Sequence, residues 1–145
     1  MKKIPGGLLI SIEGIDGSGK SSLCRNLKEK LEATHVVLVT KEPGGTPLGK
    51  KLREILLTKD VERCGKAEFL LFAADRSQHF QEVIIPALEE GILVISDRMG
   101  DSSIIYQGFG RGLDIQMLTT INQWAMNDRM PDLTFYLKIP IETAY

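Results

Sequence analysis

Gly14-Ile15-Asp16-Gly17-Ser18-Gly19-Lys20-Ser21, followed by Ser22, fits the pattern G-x-x-x-x-G-K-[ST]. Glycines let the backbone turn tightly and aim successive N–H groups inward, which makes a nest for anionic oxygens. In such a loop Lys20 reaches the outer phosphates of a nucleoside triphosphate, and the Ser21 hydroxyl ligates Mg²⁺. The flanking segments have the required order. Leu8-Leu9-Ile10-Ser11-Ile12 reads as a buried strand entering the loop. Leu23, Leu27 and Leu31 recur every four residues, the apolar stripe of a helix starting near Lys20. Strand, glycine loop and helix together predict a triphosphate site built from Gly14, Asp16, Gly17, Ser18, Gly19, Lys20, Ser21 and Ser22.

Composition narrows the partners. The 145 residues are 43% hydrophobic and 26% charged, with a net charge of −1, as in an ordinary soluble domain. The length predicts one domain over residues 1–145. So small a charge offers no field for a nucleic-acid polymer, and the expected nucleotide partner is a small molecule. Cys24 and Cys64 are too few for a disulfide framework and lack metal-ligand spacing. No apolar run reaches transmembrane length, and Met1-Lys2-Lys3 leads into a strand. The expectation is a reduced, cytoplasmic protein with no membrane partner.

Beyond the first helix, residues 35–40 read as a second strand, and residues 41–47 as a loop rich in Pro and Gly. Pro47 suits the first turn of a helix with Leu48, Leu52, Ile55 and Leu56 on its apolar face. A long helix is expected from Lys66 past Phe80, interrupted near Pro86 and ended by Gly91. Residues 92–96 form a third strand with Asp97-Arg98 at its end. Residues 101–107 read as helical, and residues 108–112 break the chain. Asp114 is placed to cap a helix whose apolar positions are Ile115, Leu118, Ile121, Trp124 and Ala125. Residues 133–137 form a fourth strand, and Pro140 opens a further helical segment.

Strands alternating with helices predict an α/β fold, a mainly parallel sheet with helices on both faces. Ligands of such sheets bind outside the carboxyl ends of the strands. The P-loop, the Glu42 loop and Asp97-Arg98 all fall at those ends, so one shared cleft is expected. Asp97 is a natural second anchor for Mg²⁺ beside Ser21. The planar fork of Arg98 suits phosphate oxygens. No Ser/His/Asp or Cys/His nucleophile set assembles, and neither His35 nor His79 has a partner implied by the sequence. A phosphate-monoester acceptor needs no such set. Its second pKa lies near ~6, so at neutral pH it is already nucleophilic. It needs relief from charge, which Lys20, Arg53, Arg98 and Mg²⁺ supply, with Lys20, Asp97 and Arg98 as the candidate catalytic residues.

The segments IEGIDGSGKSS (12–22), KEPGGTPLGKKLREILL (41–57), LLFAADRSQHF (70–80), SDRMGDSSIIYQGFGRGL (96–113) and PDLTFYL (131–137) closely resemble bacterial thymidylate kinases. These belong to the P-loop nucleoside-monophosphate kinase superfamily. The resemblance implies strand order 2-3-1-4, with ATP as phosphoryl donor, Mg²⁺ as cofactor and dTMP as acceptor, in a homodimer. It also implies residue roles. Phe72 resembles the aromatic platform under the thymine ring, and Arg76 the residue that bonds the base carbonyl. Arg53 and Arg98 resemble clamps on the acceptor phosphate, with Arg98 also bridging donor and acceptor. Ser103 and Gln107 resemble base-edge contacts, and Tyr106 the ring that crowds the 2′ position. Asp16 resembles the acid that bonds the 3′-hydroxyl. Glu42 resembles a residue that supports its loop beside the substrate and reaches the water shell of the metal.

Met99 and Lys138 depart from the resemblance, standing where a tyrosine and an acidic or neutral polar residue are usual. The resemblance further implies that an arginine-bearing lid, adenine-contacting segments and a fifth strand would follow Tyr145. The expectation is therefore a C-terminally incomplete kinase domain of low activity. The alternatives are a kinase for another nucleoside monophosphate and a nucleotide-binding module without turnover.

Overall fold

A computed structural model of the chain describes residues 1–143, without the side chains of Tyr106 and Ile141. The elements run β1 (Leu8–Gly14), α1 (Lys20–Leu31), β2 (Val37–Lys41), α2 (Pro47–Leu57) and α3 (Gly65–His79). A π-helical turn, Phe80–Ile84, joins α3 to α4 (Ile85–Glu89), and β3 is Leu93–Asp97. Next, α5 (Gly100–Ser103) passes into a second π-helical stretch, Ile104–Phe109. They are followed by α6 (Ile115–Ala125), β4 (Leu133–Leu137) and a 3₁₀ turn, Ile141–Thr143. Residues group into two compact units: 1–41 with 84–99 and the segment from Pro131 onward, and 42–83 with 100–130.

The first unit holds the sheet. Its four strands are parallel in the order β2-β3-β1-β4, as the resemblance implies. Central β1 is buried along nearly its whole length, as expected for a strand with neighbours on both sides. Ile10 is paired with Ile95 on one side and Leu133 on the other. Ile10, Ile12, Leu93 and Ile95 pack with Cys24 and, from α1, Leu23, Leu27 and Leu31. The helical stripe thus finds the strand face that alternation assigns to it. Leu9 and Val94 alternate to the opposite face and are fully buried there. Asp132 joins β1 to β4 by accepting from the Leu9 N–H and donating its own to the Leu9 carbonyl, both at 2.8 Å.

The second unit is helical. Thr46 caps α2 by accepting from the Gly49 N–H at 2.8 Å, with Pro47 opening the helix. Phe69 and Ala73 of α3 pack with Leu118 of α6, flanked by Leu113 and Ile121. Asp114 caps α6 through the N–H groups of Gln116 and Met117.

Three local expectations change. Interruption near Pro86 takes the form of the π turn Phe80–Ile84, because proline has no N–H to continue the helical ladder. The helix expected over 101–107 is a short α turn that widens into the π stretch. Trp124 is 80% exposed. At 100° per residue, Leu118, Asn122 and Ala125 share the buried face and Trp124 falls off it. Among the described residues, no helix is long and apolar enough to cross a membrane.

Candidate active site

In the first unit, α1 begins on Gly19, which has φ +93° and gives no side-chain cap. No side chain therefore caps the first N–H groups of the helix, and the positive end of the helix dipole lies behind them, an arrangement that could hold an anion. Gly14 is excluded from substitution by space as well as conformation. A Cβ there would lie 2.7 Å from Ser18 Oγ and 3.1 Å from the Leu137 carbonyl. Ser18 Oγ is buried with no hydrogen-bond partner among the described residues.

Lys20 is 7% exposed and folds over its own loop, its Nζ donating to the Ile15 carbonyl at 2.9 Å. Burial, and then the charge of Arg98, push its pKa down. Ser21 Oγ donates to Asp97 Oδ2 at 3.0 Å. Two hard oxygen donors from the start of α1 and the end of β3 are thus side by side and could hold a phosphate-bound Mg²⁺. Asp16 and Ser22 are exposed.

Arg98 has φ +72°, a conformation that a side chain with a Cβ rarely adopts. Its N–H donates to the Ile12 carbonyl at 2.9 Å, and its carbonyl accepts from Ser96 Oγ at 2.7 Å. The strained residue is held from both sides, and its Nη2 is ion-paired with Asp16. Met99, directly after it, is 1% exposed, whereas Lys138 is exposed.

In the second unit, Glu42 and Arg76 are 3% and 2% exposed and form an ion pair, Nε to Oε1 at 2.8 Å. The other Glu42 oxygen meets His79 Nδ1 at 2.7 Å. Because a carboxylate only accepts, Nδ1 carries the proton. Burial alone would push the Glu42 carboxyl up, but the Arg76 guanidinium and His79 outweigh it and hold it below 4.5. Arg76 Nη1 also donates to Asn122 Oδ1 at 2.7 Å, and Asn122 Nδ2 to the Gly100 carbonyl at 3.1 Å.

Arg53 is half-buried and bonds the Pro43 carbonyl at 2.9 Å. Phe72 is half-buried, unlike Phe69 at 1%. Ser103 Oγ and Gln107 Oε1 are both buried without a hydrogen-bond partner among the described residues. Gln107 Nε2 donates to Glu68 Oε1 at 3.2 Å. The Tyr106 side chain, the candidate 2′ discriminator, lies outside the described residues.

Three participants escaped the sequence reading. Asn122 is polar on an apolar face, so a search for apolar positions passes over it. The spacing 118, 122, 125 was its signal. His79 lies three residues beyond Arg76, but its partner is 37 positions away. Asp75 is 1% exposed and accepts from the Gly44 N–H at 3.0 Å. It lies against Gly49, where a Cβ would come within 2.4 Å of its Oδ1.

A parallel sheet in the order 2-3-1-4, with an uncapped glycine loop opening α1 and a Ser–Asp pair beside it, defines a P-loop nucleotide-binding α/β protein. The family model for thymidylate kinase matches residues 12–145, and the chain belongs to the thymidylate kinase family. It is 53% identical over 137 residues to a curated thymidylate kinase of Halothermothrix orenii, and 47% identical over 138 residues to one of Kosmotoga olearia. Each alignment covers 94% of this chain, which spans 66% of the length of either relative. The crystal structure of thymidylate kinase from Ehrlichia chaffeensis superposes with a TM-score of 0.85 at 38% identity, covering 92% of this chain and 72% of that one.

Proposed function

We propose that the chain carries donor- and acceptor-binding residues of an ATP:dTMP phosphotransferase. One observation carries the acceptor side. Ser103 Oγ and Gln107 Oε1 are buried and unpartnered among the described residues, in the unit that also buries Arg76. Buried polar atoms of this kind cost stability unless a ligand pairs with them. A pyrimidine edge offers the missing donor and acceptor. Phe72 supplies the stacking face and Arg76 a donor for the base carbonyl, with Glu42 acting through Arg76. Arg53 and Arg98 clamp the acceptor phosphate, Tyr106 crowds the 2′ position and Asp16 takes the 3′-hydroxyl.

On the donor side, Gly14, Gly17, Ser18, Gly19 and Ser22 cradle the phosphates, and Lys20 reaches the outermost. Ser21 and Asp97 would hold Mg²⁺, which supplies countercharge to the phosphate oxygens. An acceptor phosphate oxygen attacks the γ-phosphorus in line. The bond to the β–γ bridging oxygen breaks, its electron pair leaves on ADP, and dTDP forms. At neutral pH the acceptor is already dianionic in large part, so no general base is needed. Lys20, Arg98 and Arg53 offset repulsion of about 4 kcal/mol per unit-charge pair at 4 Å and an effective dielectric near 20.

The same reading places the protein in the cytoplasm as a homodimer, supported by the exposed apolar side chains of Leu48, Ile55 and Leu70. The test is ADP release with dTMP, dUMP, dCMP, dGMP and dAMP as acceptors, with ATP and dTMP binding measured separately by calorimetry. Preference for dTMP supports the proposal. Preference for another acceptor makes the chain a different monophosphate kinase, and binding of both ligands without ADP release makes it a binding module.

A further inference from the structure

We propose that Asn122 and His79 are positioning residues for acceptor-base selectivity, acting through Arg76 without touching the base. The inference rests on the reading that Arg76 meets the base carbonyl. Asn122 sits in the middle of the buried face of α6, 2% exposed. Both ends of its amide are assigned by chemistry. Arg76 Nη1 can only donate, so Oδ1 must face it. The Gly100 carbonyl can only accept, so Nδ2 must face that side. One amide thereby joins Arg76 to the start of α5, which ends in Ser103 and runs on into the stretch that carries Gln107. The proposed base contacts from α3 and from residues 103–107 are tied by this amide, in addition to the bond from Gln107 to Glu68 of α3.

His79 secures the other side. The Arg76 guanidinium is bonded through Nε to Glu42 and through Nη1 to Asn122, partners on two different segments. It is free neither to slide nor to turn about Nε while both bonds hold. Glu42 is in turn held by His79, which is fully buried. Glu42 offsets the charge of the buried guanidinium, and neutral Asn122 adds orientation without adding charge.

Orientation matters because a guanidinium is a donor-only group. Toward a thymine ring it meets the C4 carbonyl, an acceptor. Toward cytosine it meets a 4-amino group, and the two donors are left unpaired. That discrimination depends on where the guanidinium is held, and a misplacement of about 1 Å can cost roughly 10²-fold in rate.

The test uses the intact protein and compares kcat/KM for dTMP with that for dCMP, with dTMP affinity from calorimetry. N122L, near-isosteric but unable to bond at either end, is expected to lower the selectivity ratio by about tenfold or more, the worth of a charge-assisted hydrogen bond. KM for dTMP should rise with KM for ATP unchanged. N122D keeps the acceptor for Arg76 and should retain more selectivity than N122L. H79A should lower the ratio, and H79N, whose amide N–H stands near the position of Nδ1, should restore it. If R76A collapses selectivity while N122L and H79A leave it intact, the inference is overturned and the reading of Arg76 stands. If R76A leaves selectivity intact, both are overturned. Should N122L fail to fold, the H79A and H79N pair decides by the same criterion.

Discussion

Ser21 Oγ and Asp97 Oδ2 lie 3.0 Å apart although their residues are separated by 76 positions. The pairing exists because β1 and β3 are parallel neighbours in register, Ile12 opposite Asp97, so the start of α1 and the end of β3 emerge at one edge. D97N should raise the Mg²⁺ concentration needed for half-maximal turnover and lower the maximal rate. K20A should lower it by a factor of about 10² or more, the cost of removing one transition-state charge. Mg²⁺ titrations of ADP release, with chelator as control, check both. An unchanged Mg²⁺ dependence in D97N would remove Asp97 from the metal site.

Arg98 separates stability from activity. Its left-handed backbone costs about 1–2 kcal/mol that glycine would not incur. Its ion pair with Asp16 returns little, since Asp16 is 97% exposed. R98G is expected to melt no lower than the parent while turnover falls by ~10³ or more. A melting temperature well below the parent would show that the Arg98 side chain holds the fold.

Phe69 and Phe72 should part company. F69A removes a fully packed ring and should destabilise the protein by about 3–5 kcal/mol. F72A, at a half-buried position, should weaken dTMP binding by about 1–3 kcal/mol while sparing ATP binding and most of the stability. Denaturant melts beside calorimetry distinguish the two. Equal destabilisation would place Phe72 in the core.

Asp75 and Glu42 should show opposite pH dependence. Burial, with a contribution from the Glu42 charge, raises the Asp75 carboxyl above its ordinary 3.8. A raised folded-state pKa means that stability is fully present below pH 3.8 and is lost as pH rises through the folded value. D75N keeps an acceptor for the Gly44 N–H without the charge, so it should raise Tm at pH 7, a gain that vanishes below pH 3.8. The Glu42 carboxyl is lowered from 4.5, so its contribution is present above pH 4.5 and is lost as pH falls through the folded value. E42Q should therefore cost stability at pH 7 and converge with the parent in acid. Thermal melts of both variants across pH 3–7 check the signs.

Cys24 and Cys64 should differ in reactivity. Burial, then the charge of Asp97, pushes the Cys24 thiol up to about 11, whereas Cys64 is exposed. Maleimide labelling at pH 7.5, followed by mass spectrometry, should modify Cys64 and leave Cys24 intact in the folded protein. Labelling of Cys24 at a comparable rate would contradict the packing of α1 on the sheet.

The P-loop, the four strands, the Pro47 and Asp114 helix starts and the interruption at Pro86 were legible because each is encoded locally. Glycine spacing, periods of 2 and 3.6 and capping chemistry act within one or two turns of chain. Strand order and several candidate roles were carried by the family-like segments, and the order is borne out by the sheet. Asn122, His79 and Arg98 were of another kind. Asn122 is buried because it satisfies Arg76 and Gly100, 46 and 22 positions away, and Trp124 is exposed because it lies off the face of α6 that carries Asn122. The left-handed backbone of Arg98 is held by Ile12 and Ser96, contacts that local periodicity does not encode. Sequence by itself determined which segments form and where the phosphate loop lies, since those follow from local conformational preference. Tertiary structure alone decided which polar side chains are buried together and which nitrogens of Arg76 are committed, because hydrogen-bond partners distant in sequence are chosen only when the chain has packed.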